Sequence, residues 1–522
     1  MKQQVQLHEF NILMDRKVYL PNVSGMLQAY AETIPAVVDN YEFQAFMFKR
    51  TRPEVLASAW DKPAVLAFSS SMWNHQLNLE LARRAREQFP QSLIVFGGPH
   101  VPTRAEDLLE QYPFVDVAVL SEGEVTFADV LERNLAGRDF STVQGVVFRH
   151  PDGKIIRTIP RPMTPVDNLP SPYLAGLYDE LIDNRGDTEY QVILETNRGC
   201  PFRCTFCYWG NGESKVRMFD MNRLKEEIDW ISRKQVPYVF GADANFGMFP
   251  RDEEIAELFV KAKREHEYPK AFRVCYGKNA TDRIFKVAGL LEGSGLTKGV
   301  TVSFQSTDKQ TLVNIGRGNI RVDTYRELRR RWRGENLRVY TERILGLPGE
   351  TYQSFSRGIE EVFQAGLYDQ IGIFLCQVLP NTEMDEPKYV ATHGIKTKRI
   401  VLAETHALPR AKGEVVEYED VVVETTSMPL ADWKRSATLA WMAQTLHGLK
   451  LGFFVGLYVF NRFGIKYTDL FEYVIHEGKD EERFPVFAKE LKHFSDYLDA
   501  LLDGRPQCLF LDEFGKISWQ VE

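Results

Sequence analysis

Cys200-Pro-Phe-Arg-Cys204-Thr-Phe-Cys207 puts three thiols at C-x3-C-x2-C spacing in one short loop. Thiolates so placed can each hold one iron of a cubane cluster. The fourth iron is then left without a protein donor, and an open metal position is where a small molecule can bind and react. A structural zinc site would want a fourth Cys or His at compact spacing. The nearest later candidates, His266 and Cys275, lie well outside the loop. Cys200, Cys204 and Cys207 are therefore read as the metal ligands of an iron–sulfur cluster.

Such a loop needs a rigid frame. From 185 to 385 the chain repeats strand then helix. Strand Tyr190–Glu195 leads into the cysteines. A helix begins near Asp220 with Met221, Leu224, Ile228 and Ile231 on one face, and strand Tyr238–Gly241 follows. Asp252 is expected to cap a helix that buries Ile255, Leu258, Phe259 and Ala262. Ala271–Tyr276, Gly299–Gln305, Arg338–Leu345 and Gln370–Leu379 supply further strands. Six such units fit a partial parallel barrel, smaller than the eight-unit kind, with chemistry at the carboxyl ends of its strands.

Residues 1–150 also alternate strand and helix. Ala64–Phe68, Leu93–Phe96 and Val115–Leu120 read as buried parallel strands, with helices over Asn78–Glu87 and Phe127–Leu135. The expected result is a doubly wound sheet whose ligand lies beyond Ser69–Asn74, Gly97–His100 and Ser121–Glu124. Pro160, Pro162, Pro165, Pro170 and Pro172 mark 151–184 as an extended linker. Residues 386–522 are expected to be mostly helical, with helices over Trp433–Tyr458 and Phe484–Leu502, and with Val415–Thr425 as a hairpin or edge strand.

Composition narrows the class. Among 522 residues, 44% are hydrophobic and 26% charged, an ordinary globular balance. A net charge of −8 is the wrong sign for a broad grip on nucleic acid. The basic group Arg329, Arg330, Arg331 and Arg333 reads as a solvated helix face. No apolar signal segment opens the chain, and six cysteines, three of them clustered, do not make a secreted disulfide scaffold. A cytoplasmic location is expected. Leu451–Phe460 is about half the length that spans a bilayer and reads as a buried helix, with contact to a membrane surface as the alternative.

The cysteine spacing, on the first strand–loop of a partial barrel, resembles the radical S-adenosylmethionine (SAM) superfamily. The resemblance runs from Tyr190 to Thr382. Gly241-Ala-Asp-Ala-Asn245-Phe246 ends the second strand, and Ser303-Phe-Gln305-Ser306 the fourth. Gly316-Arg317 follows, then Gly346-Leu-Pro-Gly349-Glu350-Thr351 and Leu379-Pro-Asn-Thr382. The resemblance implies a [4Fe-4S] cluster and SAM bound through Phe206, Tyr208, Asp243, Asn245, Ser303, Gln305, Gly346 and Glu350. It also implies reductive cleavage of SAM to a 5′-deoxyadenosyl radical that abstracts hydrogen from unactivated carbon.

Residues 1–150 resemble the cobalamin-binding domain that precedes the barrel in the cobalamin-dependent radical SAM methyltransferase subclass. The resembling stretches are Phe68-Ser-Ser-Ser-Met-Trp73-Asn74, Gly97-Gly98-Pro99-His100 and Glu122-Gly123-Glu124. The implied cobalamin residues are Ser69, Ser70, Ser71, Trp73, Asn74, Gly97, Gly98, Glu122 and Gly123. The implied fold is α/β: an N-terminal Rossmann-like cobalamin-binding domain (1–150), the linker, a central partial (β/α)6 radical SAM barrel (185–385) and a mostly helical C-terminal domain (386–522). None of the ten histidines sits in Asp-x-His-x-x-Gly, which argues against a lower axial histidine by that route. His75 and His100 are read as hydrogen-bonded or surface groups.

Cysteine arithmetic removes two neighbouring classes. Methylthiotransferases need cysteines before Cys200, and relatives with auxiliary clusters need a group after the barrel, where only Cys508 lies. Cys275 and Cys376 read as buried packing. The leading expectation is methyl transfer to an unactivated carbon. The alternatives are a cyclase or rearrangement enzyme with the same cofactors, or a non-catalytic iron–sulfur electron carrier or sensor. Expected partners are a small-molecule or peptide substrate entering between the two domains, with Trp433–Phe463 shaping the pocket, and a flavodoxin or ferredoxin as electron donor. Neither nucleic acid nor a membrane span is expected.

Overall fold

The computed structural model describes residues 2–210, 215–277, 282–318, 338–366, 369–402, 410–510 and 518–520. The first sheet contains β1 (Gln3–Asn11). The chain then leaves through β2 (Lys17–Tyr19) and returns as β3 (Tyr41–Phe43), β4 (Met47–Lys49), β5 (Val65–Ser69), β6 (Leu93–Gly97), β7 (Val117–Val119), β8 (Val146–Arg149) and β9 (Ile155–Arg157). Their order is β3-β1-β5-β6-β7-β8-β9, with β4 also on β1. Strands through β7 are parallel, and the last two turn antiparallel. The Val, Ile and Phe runs of β5 and β6 are buried because helices cover both faces, giving one apolar layer on each side. Strand order reverses between β1 and β5. Such a switch point opens a crevice at the carboxyl ends.

The second sheet system begins with β10 (Glu189–Leu194). A two-residue antiparallel neck, β11 (Asn197–Arg198) with β12 (Arg217–Met218), closes the cysteine loop. Then come β13 (Tyr238–Phe246), β14 (Ala271–Tyr276), β15 (Val300–Gln305), β16 (Val339–Leu345) and β17 (Ile371–Leu375). The ladders are β14-β13-β10-β2 and β15-β16-β17, all parallel, and β14 packs beside β15. This is the six-strand partial barrel, with one addition that local periodicity does not reveal: Lys17–Tyr19, from the first segment, extends the barrel sheet through β10. β18 (Lys396–Val401) and β19 (Tyr418–Glu424) pair antiparallel, so Val415–Thr425 supplies a single strand of a two-stranded ladder and not a hairpin of its own.

Helix Met221–Arg233 starts where expected, with the Asp220 carboxylate accepting from the backbone N–H groups of Asn222 and Arg223. Asp252 is not a cap. It lies inside helix Arg251–His266, and its carboxylate reaches back to the N–H of Phe249 at 2.9 Å. The proline stretch is not a free linker either. Val166, Leu169 and Tyr173 are buried in the barrel core, and Arg161 is paired with Asp129.

Two C-terminal expectations fail. The expected single helix Trp433–Tyr458 is three pieces: Leu430–Met442, a wide turn Ala443–Gly448 and Phe453–Phe463. Lys450 between them takes φ of 70°, which no helix continues through. Leu451–Phe460 is not buried. Leu451 is 74% and Phe454 78% exposed, because the second helix packs by one face only, with Phe460 stacked on Tyr467. These helices lie against β16, β17 and helix Tyr352–Gln364, flanking the barrel. No helix among the described residues is long and apolar enough to cross a membrane. Arg329, Arg330, Arg331 and Arg333 lie outside the described residues.

Candidate active site

The cysteine loop is held from three directions. Asp243, at the end of β13, accepts from the N–H of Thr196 at 2.9 Å, the N–H of Asn197 at 3.1 Å and the Thr196 hydroxyl at 2.5 Å. Burial pushes its carboxyl up to about 7 against those donors. Gly199 turns the chain with φ of 97°; a Cβ there would sit 2.6 Å from the Lys215 carbonyl oxygen, so only glycine fits. On the far side, the N–H of Thr205 bonds the Ile315 carbonyl and that of Met384 bonds the Thr205 carbonyl. Phe206 packs into an apolar cluster with Ile315, Leu347, Cys376 and Met384.

Cys200 and Cys204 are buried and Cys207 half-buried. Asn245 Nδ2 donates to Cys200 Sγ at 3.2 Å, and the Arg317 guanidinium bonds Cys204 while also donating to the Ser303 carbonyl. Donors and a cation aimed at sulfur are the surroundings that thiolate ligands want.

Among the described residues two acceptors near the strand ends lack protein partners: Asn245 Oδ1 and Gln305 Oε1 are buried and unbonded. Gln305 is held at φ of 61°. Each is an acceptor that a ligand donor, such as an ammonium, could satisfy. Ser303 donates to Glu342 Oε2 at 2.5 Å, presenting a hydroxyl–carboxylate pair on β15 and β16. The other implied SAM residues sit elsewhere. Glu350 is fully buried with Arg343 at 3.1 Å and Ser306 at 2.8 Å, and Gly346 packs its α-carbon against β19. Asp243 is occupied with the loop itself. Tyr208 lies on the wall of the cavity described next.

Sequence reading missed Glu342, and named Arg317 in the Gly316-Arg317 element without giving it a role. Strand alternation puts Glu342 and Arg343 on opposite faces of β16 but does not say which of the two charges faces the barrel interior. Cys275 departs from expectation: it is exposed rather than packed, with Asp243, Glu342 and Cys207 in its electrostatic surroundings. Cys376 is buried packing as expected, its thiol pushed up to about 12 by burial and its Sγ 3.7 Å from Met384 Sδ. The side chain of Cys508 lies outside the described residues.

A cavity of about 340 Å³ lies at the switch point of the first sheet. Ser69, Gly97, Gly98, Glu122 and Gly123 line it, with Asn22–Ser24, Leu27 and Ser121 from neighbouring turns. Its far wall is Glu195, Arg198, Gly199, Tyr208, Trp209 and Arg217, the neck of the cysteine loop. A Cβ on Gly97 would meet one atom, Val119 Cβ at 3.7 Å, so Gly97 leaves space that a ligand can fill. Gly98 differs: φ is 98° and its Cβ would lie 2.6 Å from the Ser70 carbonyl oxygen.

Ser70, Ser71, Trp73 and Asn74 are not on that wall. Ser70 Oγ is 2.7 Å from His75 Nδ1, and Asn74 accepts from the Ser71 N–H and donates to the Phe10 carbonyl. The Trp73 carbonyl accepts from Arg50 at 2.5 Å. These groups brace the strand end. Across the cavity, Arg198 bonds Glu195 at 2.8 Å and Glu124 at 2.9 Å, and Arg217 reaches Glu122 at 2.5 Å. The two sheets are thus tied by buried ion pairs beside both candidate sites.

Comparison with known proteins matches this geometry. A sequence model described as the Radical SAM superfamily fits residues 194–362, and one described as the B12 binding domain fits 26–131. The chain is 36% identical over 494 residues to the 2-(S-pantetheinyl)-carbapenam-3-carboxylate methyltransferase of Streptantibioticus cattleyicolor, covering 92% of this chain and 71% of that one. It is a cobalamin-dependent radical SAM methyltransferase family member. A second relative, the cobalamin-dependent radical SAM methyltransferase TokK of Streptomyces tokunonensis, is 35% identical over 461 residues, 87% of this chain and 67% of that one.

The fold of this family member is also that of TsrM from Kitasatospora setae, solved with cobalamin and a [4Fe-4S] cluster. The TM-score is 0.60 at 14% identity, over 85% of this chain and 89% of that one. The cofactors of the methyltransferase are a [4Fe-4S] cluster, SAM and cobalamin. When bound, they supply the radical and the methyl group; the polypeptide supplies placement and exclusion of water.

Proposed function

We propose that the enzyme transfers a methyl group to an unactivated carbon of a carbapenam-type carboxylate bearing a pantetheinyl thioether. The carrying observation is the 36% identity over nearly the whole chain to a methyltransferase named for that substrate. The geometry supports the reading: the cobalamin-side cavity and the cysteine loop share one wall through Arg198 and Gly199, so a substrate between the sheets meets both.

In this reading Cys200, Cys204 and Cys207 hold the cluster. Asn245, Gln305 and Ser303 hold SAM, with Phe206 packed behind. Ser69, Gly97, Gly98, Glu122 and Gly123 face cobalamin, and Tyr208 separates the two cofactors. The domain division 1–150, 151–184, 185–385 and 386–522 is proposed on the same grounds, with Lys17–Tyr19 lent to the barrel. A flavodoxin or ferredoxin would reduce the cluster in the cytoplasm, and nucleic acid has no part.

The test is anaerobic turnover with 2-(S-pantetheinyl)-carbapenam-3-carboxylate and methyl-deuterated SAM. Labelled methyl in the product together with 5′-deoxyadenosine is expected. 5′-Deoxyadenosine with an unmethylated, rearranged product would transfer the assignment to a cyclase or rearrangement enzyme. No 5′-deoxyadenosine and no label would reject this substrate.

A further inference from the structure

A second cavity, of about 190 Å³, lies where the carboxyl ends of both sheets meet the β18–β19 ladder. That volume holds part of a small molecule rather than a whole drug-sized ligand. His75 and His100 come from the ends of the first sheet, Gln377 and Leu379 from the turn after β17, and Arg399 and Tyr418 from β18 and β19. It is separate from the cavity assigned to cobalamin, and no residue lines both.

Its chemistry is specific. The two imidazoles lie 4.2 Å apart, and burial holds them at about 3 and about 4, so both are neutral near pH 7. Two of the carboxylates that reach the wall are committed: Glu417 to Arg50 and the N–H groups of Gln76 and Leu77, Glu419 to the side chains of Gln377 and Gln507. The Arg399 guanidinium lies over the Tyr418 ring, 5.0 Å from its centroid. The wall therefore offers neutral donors and acceptors, one apolar side, one cation and the carboxylate of Asp420. Neutral amides and hydroxyls on a flexible chain match such a wall better than a phosphate dianion does.

We propose that this cavity is the subsite for the amide-bearing arm of the substrate, remote from the carbon that is methylated. The inference rests on the carbapenam reading for the identity of the arm, a pantetheinyl chain. Corrin side chains carry the same amide chemistry, so the test must separate the two sources.

The experiment uses anaerobic holoenzyme and pantetheine alone as the probe, followed by calorimetry. Pantetheine should bind, and Arg399→Ala should weaken it about tenfold while iron and cobalt content stay constant. Gln377→Ala, whose Glu419 partner keeps its bond to Gln507, should act in the same direction. In turnover, Arg399→Ala should shrink the KM advantage of the pantetheinyl substrate over its S-methyl counterpart by the same factor. Absent pantetheine binding, or equal binding by wild type and variants, overturns the proposal. Loss of cobalt in step with pantetheine affinity overturns it in favour of corrin amides. Failure of both carbapenams to be methylated, with pantetheine binding and its loss in the variants intact, would reject the carbapenam core and leave the arm subsite supported.

Discussion

The carboxamide nitrogen of Asn245 donates to Sγ of Cys200 across 3.2 Å, while its oxygen is buried without a partner among the described residues. In the proposed site one side chain thus supports a cluster cysteine and offers an acceptor to SAM. Asn245→Ala should lower activity about 10–100-fold, the range for lost outer-shell support. It should also move the cluster to a more negative potential, because a hydrogen bond to sulfur is gone. EPR-monitored redox titration measures the second effect, and the SAM-induced change in the EPR signal should weaken. An unaltered potential and SAM response would contradict both assignments.

Gly97 and Gly98 are adjacent but make different demands. Gly97→Val should fold, since its Cβ meets only Val119, and should lose cobalamin by filling the cavity; cobalt content and the visible spectrum report this. Gly98→Ala should destabilise the first sheet by more than about 1 kcal/mol, because a Cβ at positive φ collides with the Ser70 backbone. Cobalt retention by Gly97→Val would remove this cavity as the cobalamin site.

Arg198 carries 13% side-chain exposure and bonds Glu195 and Glu124, with Glu122 at 3.5 Å. Removing it takes a counter-charge from the buried Glu124 and the partly buried Glu195, while Glu122 keeps Arg217. Arg198→Ala should cost about 1–3 kcal/mol by denaturant titration of the folded protein. Arg198→Lys should recover only part, since a point charge cannot bridge the carboxylates as the planar fork does.

His8 and Glu9 are neighbours on β1 with opposed pH dependences. His8 Nδ1 is 3.0 Å from the Ala67 carbonyl, and Trp60 Nε1 donates to Nε2, which requires the neutral ring. Burial holds its pKa at about 3, below the ordinary 6.5, so stability falls as pH drops from 6.5 to 3. Burial pushes Glu9 up to about 7 from 4.5, although the Ser24 N–H supports its charge, so its contribution falls as pH rises from 4.5 to 7. Between 4.5 and 6.5 the contributions of these two groups cancel each other. In Glu9→Gln the His8 slope should emerge across that interval, reaching a few kcal/mol in all. Denaturation midpoints measured against pH distinguish the two curves.

What the amino-acid order determined alone was local. Three cysteines seven residues apart from first to last, the runs that become β5, β6 and β10, and the strand–helix repeat are all set by neighbours in the chain, where periodicity and ligand spacing operate. Tertiary structure decided everything that depends on which way a side chain faces and on what comes back to meet it. Glu342 and Arg343 are adjacent, yet one bonds Ser303 on the neighbouring strand while the other is buried with Glu350 over Phe355. Successive side chains on a strand face opposite ways, so a single-residue choice of register separates a candidate ligand contact from a buried ion pair. The same holds at longer range. Arg198 meets Glu122 and Glu124 only because two sheets dock, Lys17–Tyr19 joins a barrel more than 160 residues away in the chain, and Leu451, Phe454 and Val455 stay exposed because no described residue folds back over them. Local spacing carries no information about such returns, because their free energy resides in contacts between distant parts of the chain.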